Sequence, residues 1–415
     1  MNLLDTASLV VTPNAYKVSK LYSIVPTDGT GDMTFSRTGD TATRVNSAGF
    51  IETVLANKPR LDYTNVTCPK LLIEPQRTNI ILRSQEQDNA SWGKSNTTVT
   101  ANAIASPDGT TNADKLVESA TTSSHLIFQS FTLSTSTDYT VSVYLKAGER
   151  TRCNIRLTTF AGAQDSAVNL TTGTVDNGTL TNVGNGWFRF SRTLNSSTGA
   201  GSPLIAVNLA NSSGVTTYAG DGTSGLYVWG AQVEQGSFVS SYIPTTTASV
   251  TRNADQCYDN SATSLIGQTE GTIFIDFDLT NVTDENTRNI ISLGLFGANY
   301  TDRINIAQTA IASGTKYRIG YKANNVQLID DLTLSYTSGR IKMALIYNAT
   351  SMNLYINGTL VRSYTFASSP FTTSLTTVYL GNYPNINTAN GHRIYSAILW
   401  KTRLTSQELI TLTTL

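Results

Sequence analysis

Two aspartates set two residues apart, Asp276 and Asp278 in TIFIDFDLTN, come closest in this chain to the spacing of a reaction centre. On a strand they share one face, roughly 7 Å apart. At that separation one carboxyl can act as acid and the other as base in glycoside hydrolysis. The same pair equally well solvates the outer face of a sheet, and that is the role expected of it here. The chain has two histidines, His125 and His392, and neither sits near a Ser or Cys nucleophile motif, so no triad is expected. GDGTSG, Gly220 to Gly225, lacks the lysine and following helix of a phosphate-binding loop and reads as a hairpin turn. Cys68, Cys153 and Cys257 are too few and too scattered for a disulfide framework or zinc knuckle, and read as buried thiols of a reducing compartment. No catalytic residue is expected.

Binding chemistry has stronger candidates. In GNGWFRFS, alternation sends Phe188 and Phe190 to one side and Trp187, Arg189 and Ser191 to the other. Burying the two phenylalanines puts Trp187 and Arg189 on the wet face, where an indole can stack on a sugar ring or fill a subunit contact. Tyr227 and Trp229 share a strand face and are expected in the core. The acidic turns Asp108-Gly109 and Asp221-Gly222 could hold a structural Ca²⁺, although neither forms a spaced ligand series. No other cofactor is expected.

Strands must position these residues. Most fragments alternate apolar and polar residues and end in Gly, Asn, Asp or Ser, the mark of short strands joined by tight turns. In YTVSVYLK, Tyr139, Val141, Val143 and Leu145 face one side and Thr140, Ser142, Tyr144 and Lys146 the other, which predicts a sheet with one wet face. In TIFIDFDLTN the buried set is Ile273, Ile275, Phe277 and Leu279, with Phe274, Asp276 and Asp278 exposed. IKMALIYNATSMNLYINGTLVRSYTF predicts three strands turning at Asn348 to Ser351 and at Asn357-Gly358. HRIYSAILWKTRLTSQEL predicts a strand and then a short helix, with Glu408 at capping-box spacing from Thr405.

Residues 1–70 predict hairpins with little core of their own, with turns at Asp28-Gly29, Gly39-Asp40 and Asn46 to Gly49. The polar, aperiodic stretch Thr247 to Ser264 predicts a linker, placed at 256–264. Formal net charge is zero, from 29 basic and 29 acidic residues, so no nucleic-acid-seeking field is expected. Charged residues make up 14 % of the chain against ~25 % in an average globular protein, and Thr, Ser and Asn take their place. The opening MNLLDTASLVVTP has no basic region and is broken by Asp5 and Pro13, so it does not read as a secretory signal. No apolar run reaches the ~20 residues of a membrane span.

The middle third carries LLIEPQRTNIILRSQEQDNASWGKS, SPDGTTNADKL, YTVSVYLKAGE, GNGWFRFS and GLYVWGAQVEQGSFVSSYIPT in that order. This succession resembles the jelly-roll, carbohydrate-binding-type module of tail-fibre, head-fibre and other structural proteins of tailed bacteriophages, over residues 71–255. The last part carries a strand, the Leu-Tyr-Ile-Asn-Gly hairpin, a Tyr-Leu-Gly-Asn strand and a closing Leu-Thr-Ser-Gln-Glu-Leu. That order is similar to the concanavalin A-like, laminin G-like lectin fold, over residues 265–415. The second resemblance implies glycan or calcium sites in rim loops, which makes Asn299, Asp302, Asn382 and Asn390 candidates beside Trp187 and Arg189. It also bears on the aspartates. Glucanases of the concanavalin A-like fold carry Glu-x-Asp-x-x-Glu, whereas this strand reads Asp-Phe-Asp-Leu-Thr-Asn.

The expected architecture is all-β. Two consecutive antiparallel β-sandwiches, jelly roll and then concanavalin A-like, follow an N-terminal hairpin segment that attaches to other virion proteins. The expected function is that of a non-enzymatic structural component of a phage virion, a fibre or capsid-decorating protein. It would be made in the host cytoplasm, oligomeric with a trimer favoured, and would adhere to host-surface or mucosal glycans. The alternatives are a glycan-depolymerising tail spike and a collar or capsid brace that binds no sugar.

Overall fold

The computed structural model describes residues 2–159, 161–198, 202–279, 288–295, 301–311, 314–335, 339–367, 371, 373–381 and 392–415. These residues fold almost entirely as antiparallel strands arranged in sandwiches, with a single α-helix, Ser406–Thr413, among them. The chain divides into two compact units, one of residues 1–40, 54–76 and 253–415, the other of residues 41–53 and 77–252.

In the first unit an eight-stranded sheet includes Gly339–Asn348, Glu270–Leu279 and His392–Trp400 at its centre. A nine-stranded sheet includes Gln256–Asp259, Thr377–Leu380, Arg288–Gly294 and Arg303–Ile311. Ile273, Ile275, Phe277, Met343 and Leu345 from the first sheet share one buried core with Ile291, Leu293, Ile304, Ile306 and Ile319 from the second. The alternation in TIFIDFDLTN therefore points as expected for these residues. Its other face is not open, however. Phe274 is buried with Ala7, Val10, Ile346, Ile398, Trp400 and Leu409, under the N-terminal segment and the C-terminal helix. That helix starts at the expected capping box, Thr405 with Glu408. Asn357 and Gly358 both take positive φ, 47° and 80°, as the Asn-Gly hairpin requires.

The N-terminal segment is not a unit of its own. Leu9–Val11, Arg60–Asp62 and Lys70–Ile73 are strands of the eight-stranded sheet, while Tyr16–Lys17, Lys20–Leu21 and Met33–Ser36 extend the nine-stranded one. Strands this short bury almost nothing alone, so they complete the edges of sheets built from distant sequence. A buried ionic cluster fixes them. Arg60 reaches Glu74 at 2.7 Å and also Asp255, and Arg37 donates to Asp255 at 3.0 Å and to the Val54 and Leu55 carbonyls. Burial alone would favour neutral Arg60, but Asp255 and Glu74 hold it charged, raising its pKa above the ordinary arginine value. The expected linker is likewise structural: Gln256–Asp259 is an inner strand of the nine-stranded sheet, with Cys257 and Asp259 buried. Four residues are too few to show a period, which is why the stretch reads as a linker.

The second unit packs two six-stranded sheets around a core of Ile127, Ile155, Leu157 and Val207 against Leu116, Val141, Val143, Phe190 and Val228. Crossovers place Leu204–Ala210 between Leu126–Ser130 and Arg152–Thr159, and Gly225–Gln235 between Thr111–Glu118 and Asp138–Lys146. The units are nested rather than consecutive, because residues 41–53 leave the first unit and return to it before the second departure at residue 77. That early excursion, the hairpin Ala42–Val45 with Ile51–Val54, covers the face expected to be wet. Thr140, Ser142 and Tyr144 are buried; Ile51 packs against a cluster of Tyr144, Trp187, Trp229 and Tyr242; and Thr43 donates to the Tyr242 carbonyl at 2.6 Å.

Candidate functional site

The sequence-predicted residues do not come together. Trp187 is 1 % exposed and donates its indole N–H to the Ala105 carbonyl at 3.1 Å. Arg189 donates to the Ser240 carbonyl and the Ser142 hydroxyl and lies 5.1 Å over the Tyr144 ring. Their strand parity is as expected, but the roof of residues 41–53 makes this a second core instead of a platform. Asp302 is fully buried and accepts from the backbone of Asn324 and from the backbone and hydroxyl of Thr373, so it pins two loops and offers no rim ligand. Asn299, Asn382 and Asn390 lie outside the described residues.

The carboxylates singled out from the sequence are engaged. Asp276 is held by Arg340 through two bonds of 2.9 and 2.6 Å, and Asp278 lies 3.8 Å from Lys70. Asp108 and Asp221 close on their own turns, accepting from Thr110 and from Thr223 and Ser224. Among the described residues no group of three or more His, Cys, Asp or Glu is gathered to hold a metal. His125 bonds the Asn96 carbonyl at 2.8 Å and His392 the Asn289 carbonyl at 2.9 Å. Cys153 and Cys257 are buried and Cys68 is exposed; burial pushes the Cys153 thiol up to about 12, away from nucleophilic character.

The second unit's other sheet turns its outer face away from the core, with Ala206, Asn208 and Ala210 buried along its inner strand. Along Arg152–Thr159, Cys153, Ile155 and Leu157 enter the core, so Arg152, Asn154, Arg156 and Thr158 point outward. Register aligns them in transverse rows. One row runs Phe128, Ala206, Arg156, Asp165; the next runs Leu126, Asn208, Asn154, Ala167. Strands ~4.8 Å apart make each row span ~14 Å, and rows two residues apart are separated by ~7 Å. Asp165 and Ala167 are exposed, so the face meets solvent at that edge.

Three features suit this face to binding. First, a Cβ placed on Gly93 would lie 2.4 Å from Phe128 Cζ and 2.7 Å from both Cε atoms. Those distances put the ring flat over the glycine with its other side outward, half-buried. Only glycine permits that approach. Second, Asn208 is 6 % exposed and Asn154 is half-buried directly opposite it, yet neither side chain hydrogen-bonds any described residue. The Asn154 carbonyl oxygen is buried and unpartnered. Buried amides are nearly always satisfied, so a pair left open side by side stands out. Third, Arg156 and Asp165 form an exposed fork of 2.7 and 2.9 Å, and the guanidinium hydrogen bonds hold the Asp165 carboxyl below its ordinary range.

Sequence reading passed over this face because LIAVNLA looks like an ordinary core strand. The one signal was Asn208, a lone amide at the middle of an apolar run.

No family model matches the chain, and no curated protein matches it. Among solved structures, it is similar to the CBM40 of the Ruminococcus gnavus IT-sialidase bound to α2,3-sialyllactose, at 19 % identity and TM-score 0.32, over 38 % of this chain and 91 % of that one. It is also similar to a Trypanosoma rangeli sialidase, at 16 % identity and TM-score 0.32, over 38 % of this chain and 25 % of that one. The binding domain of botulinum neurotoxin DC in complex with rat synaptotagmin II is similar at 14 % identity and TM-score 0.31, over 39 % of this chain and 40 % of that one. The sandwich architecture stands on the sheets themselves.

Proposed function

We propose that this chain is a non-catalytic glycan-binding adhesion protein whose sugar site is the outer face built on Phe128, Asn154 and Asn208. The carrying observation is the unpartnered Asn154–Asn208 pair beside an aromatic ring laid flat on Gly93. The C–H face of a pyranose packs on such a ring, and its hydroxyls supply the donors and acceptors that the amides lack. The non-catalytic reading is supported by the ion-paired state of Asp276 and Asp278, each facing a cation.

The same reading places the protein on the surface of a tailed-phage particle, in keeping with the phage modules it resembles, and as a homo-oligomer with a trimer favoured. Contact with other virion proteins is assigned to residues 1–70. They hold Leu4, Val18, Ile24 and Leu55, four of the nine exposed large apolar side chains among the described residues. Weak single-site adhesion becomes useful when many copies are displayed together. On a glycan array carrying host-surface and mucosal polysaccharides, the purified chain should give a signal. F128A and the N154A/N208A double variant should weaken it by about tenfold or more. No signal on any polysaccharide refutes the reading. Immunogold labelling of particles and light scattering of the purified chain test the virion location and the oligomeric state.

A further inference from the structure

The second unit has nine arginines, and eight are engaged: Arg44, Arg77, Arg83, Arg150 and Arg156 with carboxylates, and Arg189, Arg192 and Arg252 with hydroxyl or carbonyl oxygens. The ninth, Arg152, has no hydrogen bond and no ion pair with any described residue, although it is half-buried. It lies on the outer face two residues before Asn154, paired in register with Ala210 and Asn169. Ala210 gives it no partner, and the Asn169 side-chain oxygen is taken by the Thr171 backbone at 3.0 Å. The turn beside it carries Gly214 at φ 83°, where a Cβ would lie 3.9 Å from the Arg152 Nη1, so this residue sets no side chain against the guanidinium. The nearby acids are spoken for: Asp165 by Arg156, and Asp176 by the Ala167 backbone N–H.

Arg152 is half-buried as a residue, but its guanidinium nitrogens are not sealed from solvent, so the unpaired charge is open to a ligand. Its planar fork matches a carboxylate through two parallel hydrogen bonds. The Cα atoms of Arg152 and Asn154 stand ~7 Å apart along the strand, with the guanidinium beside the Gly214 turn. A glycan whose acid group sits on Arg152 can therefore run along the strand and set hydroxyls over the Asn154–Asn208 amides. We infer that Arg152 makes this face selective for carboxylate-bearing glycans, an inference that rests on the glycan-binding reading and narrows its ligand class.

Biolayer interferometry of the full chain separates the possibilities. The probes are polygalacturonate and polysialic acid, the carboxyl-reduced form of each, and dextran sulfate, tested against wild type, R152Q and R152K. The inference expects the wild type to bind at least one acidic polymer about tenfold or more tightly than its reduced form. It expects R152Q to lose that preference, and R152K to lose most of it because an ammonium lacks the fork. Unchanged melting temperatures establish that both variants fold. Three outcomes overturn the inference: equal binding of acidic and reduced polymers, full retention in R152K, or dextran sulfate binding as tightly as the carboxylated polymers. If the wild type prefers neutral polymers and loses them in F128A, the inference fails and the glycan-binding reading stands.

Discussion

At the scale of single residues, what matters is which polar groups are closed on themselves and which are left open. Asp255 belongs to the first kind, serving Arg37 and Arg60 in a fully buried cluster. Asp255→Asn leaves buried Arg37 without a carboxylate and Arg60 with Glu74 alone, and should cost about 3–5 kcal/mol, read as a drop in the denaturant midpoint. Asn154 belongs to the second kind, and Gly93 seats the Phe128 ring on the same face. Gly93→Ala drives a methyl into the Phe128 ring, so it should abolish glycan retention while shifting the melting temperature by only a few degrees, as calorimetry will show. The sequence displayed the parity of Trp187 and Arg189 correctly and their environment wrongly. Alternation reports the side to which a residue points; it carries no record of a hairpin arriving from 130 or more residues upstream. Asn208 was missed for another reason: every residue of its strand but Leu204 is buried, so its apolar neighbours do not mark which side faces away from the core.

At the scale of elements, strands and turns with a strong local code were legible: the Asn357-Gly358 hairpin, the Thr405 capping box and the core alternation of Glu270–Leu279. Strands of two to four residues were not, since their place is decided by the sheet edge they complete. Removing residues 2–11 takes Leu9, Val10 and Val11 from buried positions against His392–Trp400 and should destabilise the first unit by on the order of 5 kcal/mol. Hydrogen exchange should then show early opening of that strand. Asp331 ties the two sheets of this unit at their ends, accepting from Thr333 on its own strand and from Arg362 and Tyr364 on the other sheet. Burial opposes its ionisation, but those hydrogen bonds prevail and hold its carboxyl near a pKa of about 2, below the unfolded value. The sign follows: its contribution is complete above the unfolded pKa of ~3.9 and disappears as pH falls through about 2. Wild type should therefore lose stability across that acid window, and Asp331→Asn should be less stable at neutral pH with a flatter acid limb in urea titrations.

At the scale of the whole molecule, the sequence conveyed the all-β class and the number of sandwiches but not their nesting, because nothing local marks residues 41–53 as belonging with residues 77–252. A fragment of residues 77–252 lacks the cover of Tyr144, Trp187, Trp229 and Tyr242, and should show red-shifted tryptophan emission and bind hydrophobic dyes. A fragment of residues 41–252 should keep blue-shifted tryptophan emission and the proposed glycan site, while Leu61, Leu71 and Ile73 of its residues 54–76 lose the cover that the first unit gives them. Nesting also decides how the chain answers tension. Leu9 sits opposite Leu399 in an antiparallel pair, so a pull on the two ends peels that ladder open bond by bond instead of shearing it. The second unit is spliced into the first at four peptide junctions, which keeps it off the load path until the outer unit has yielded. A tethered copy dragged by its ends would thus give way first in the frame, with the proposed sugar-binding face still folded.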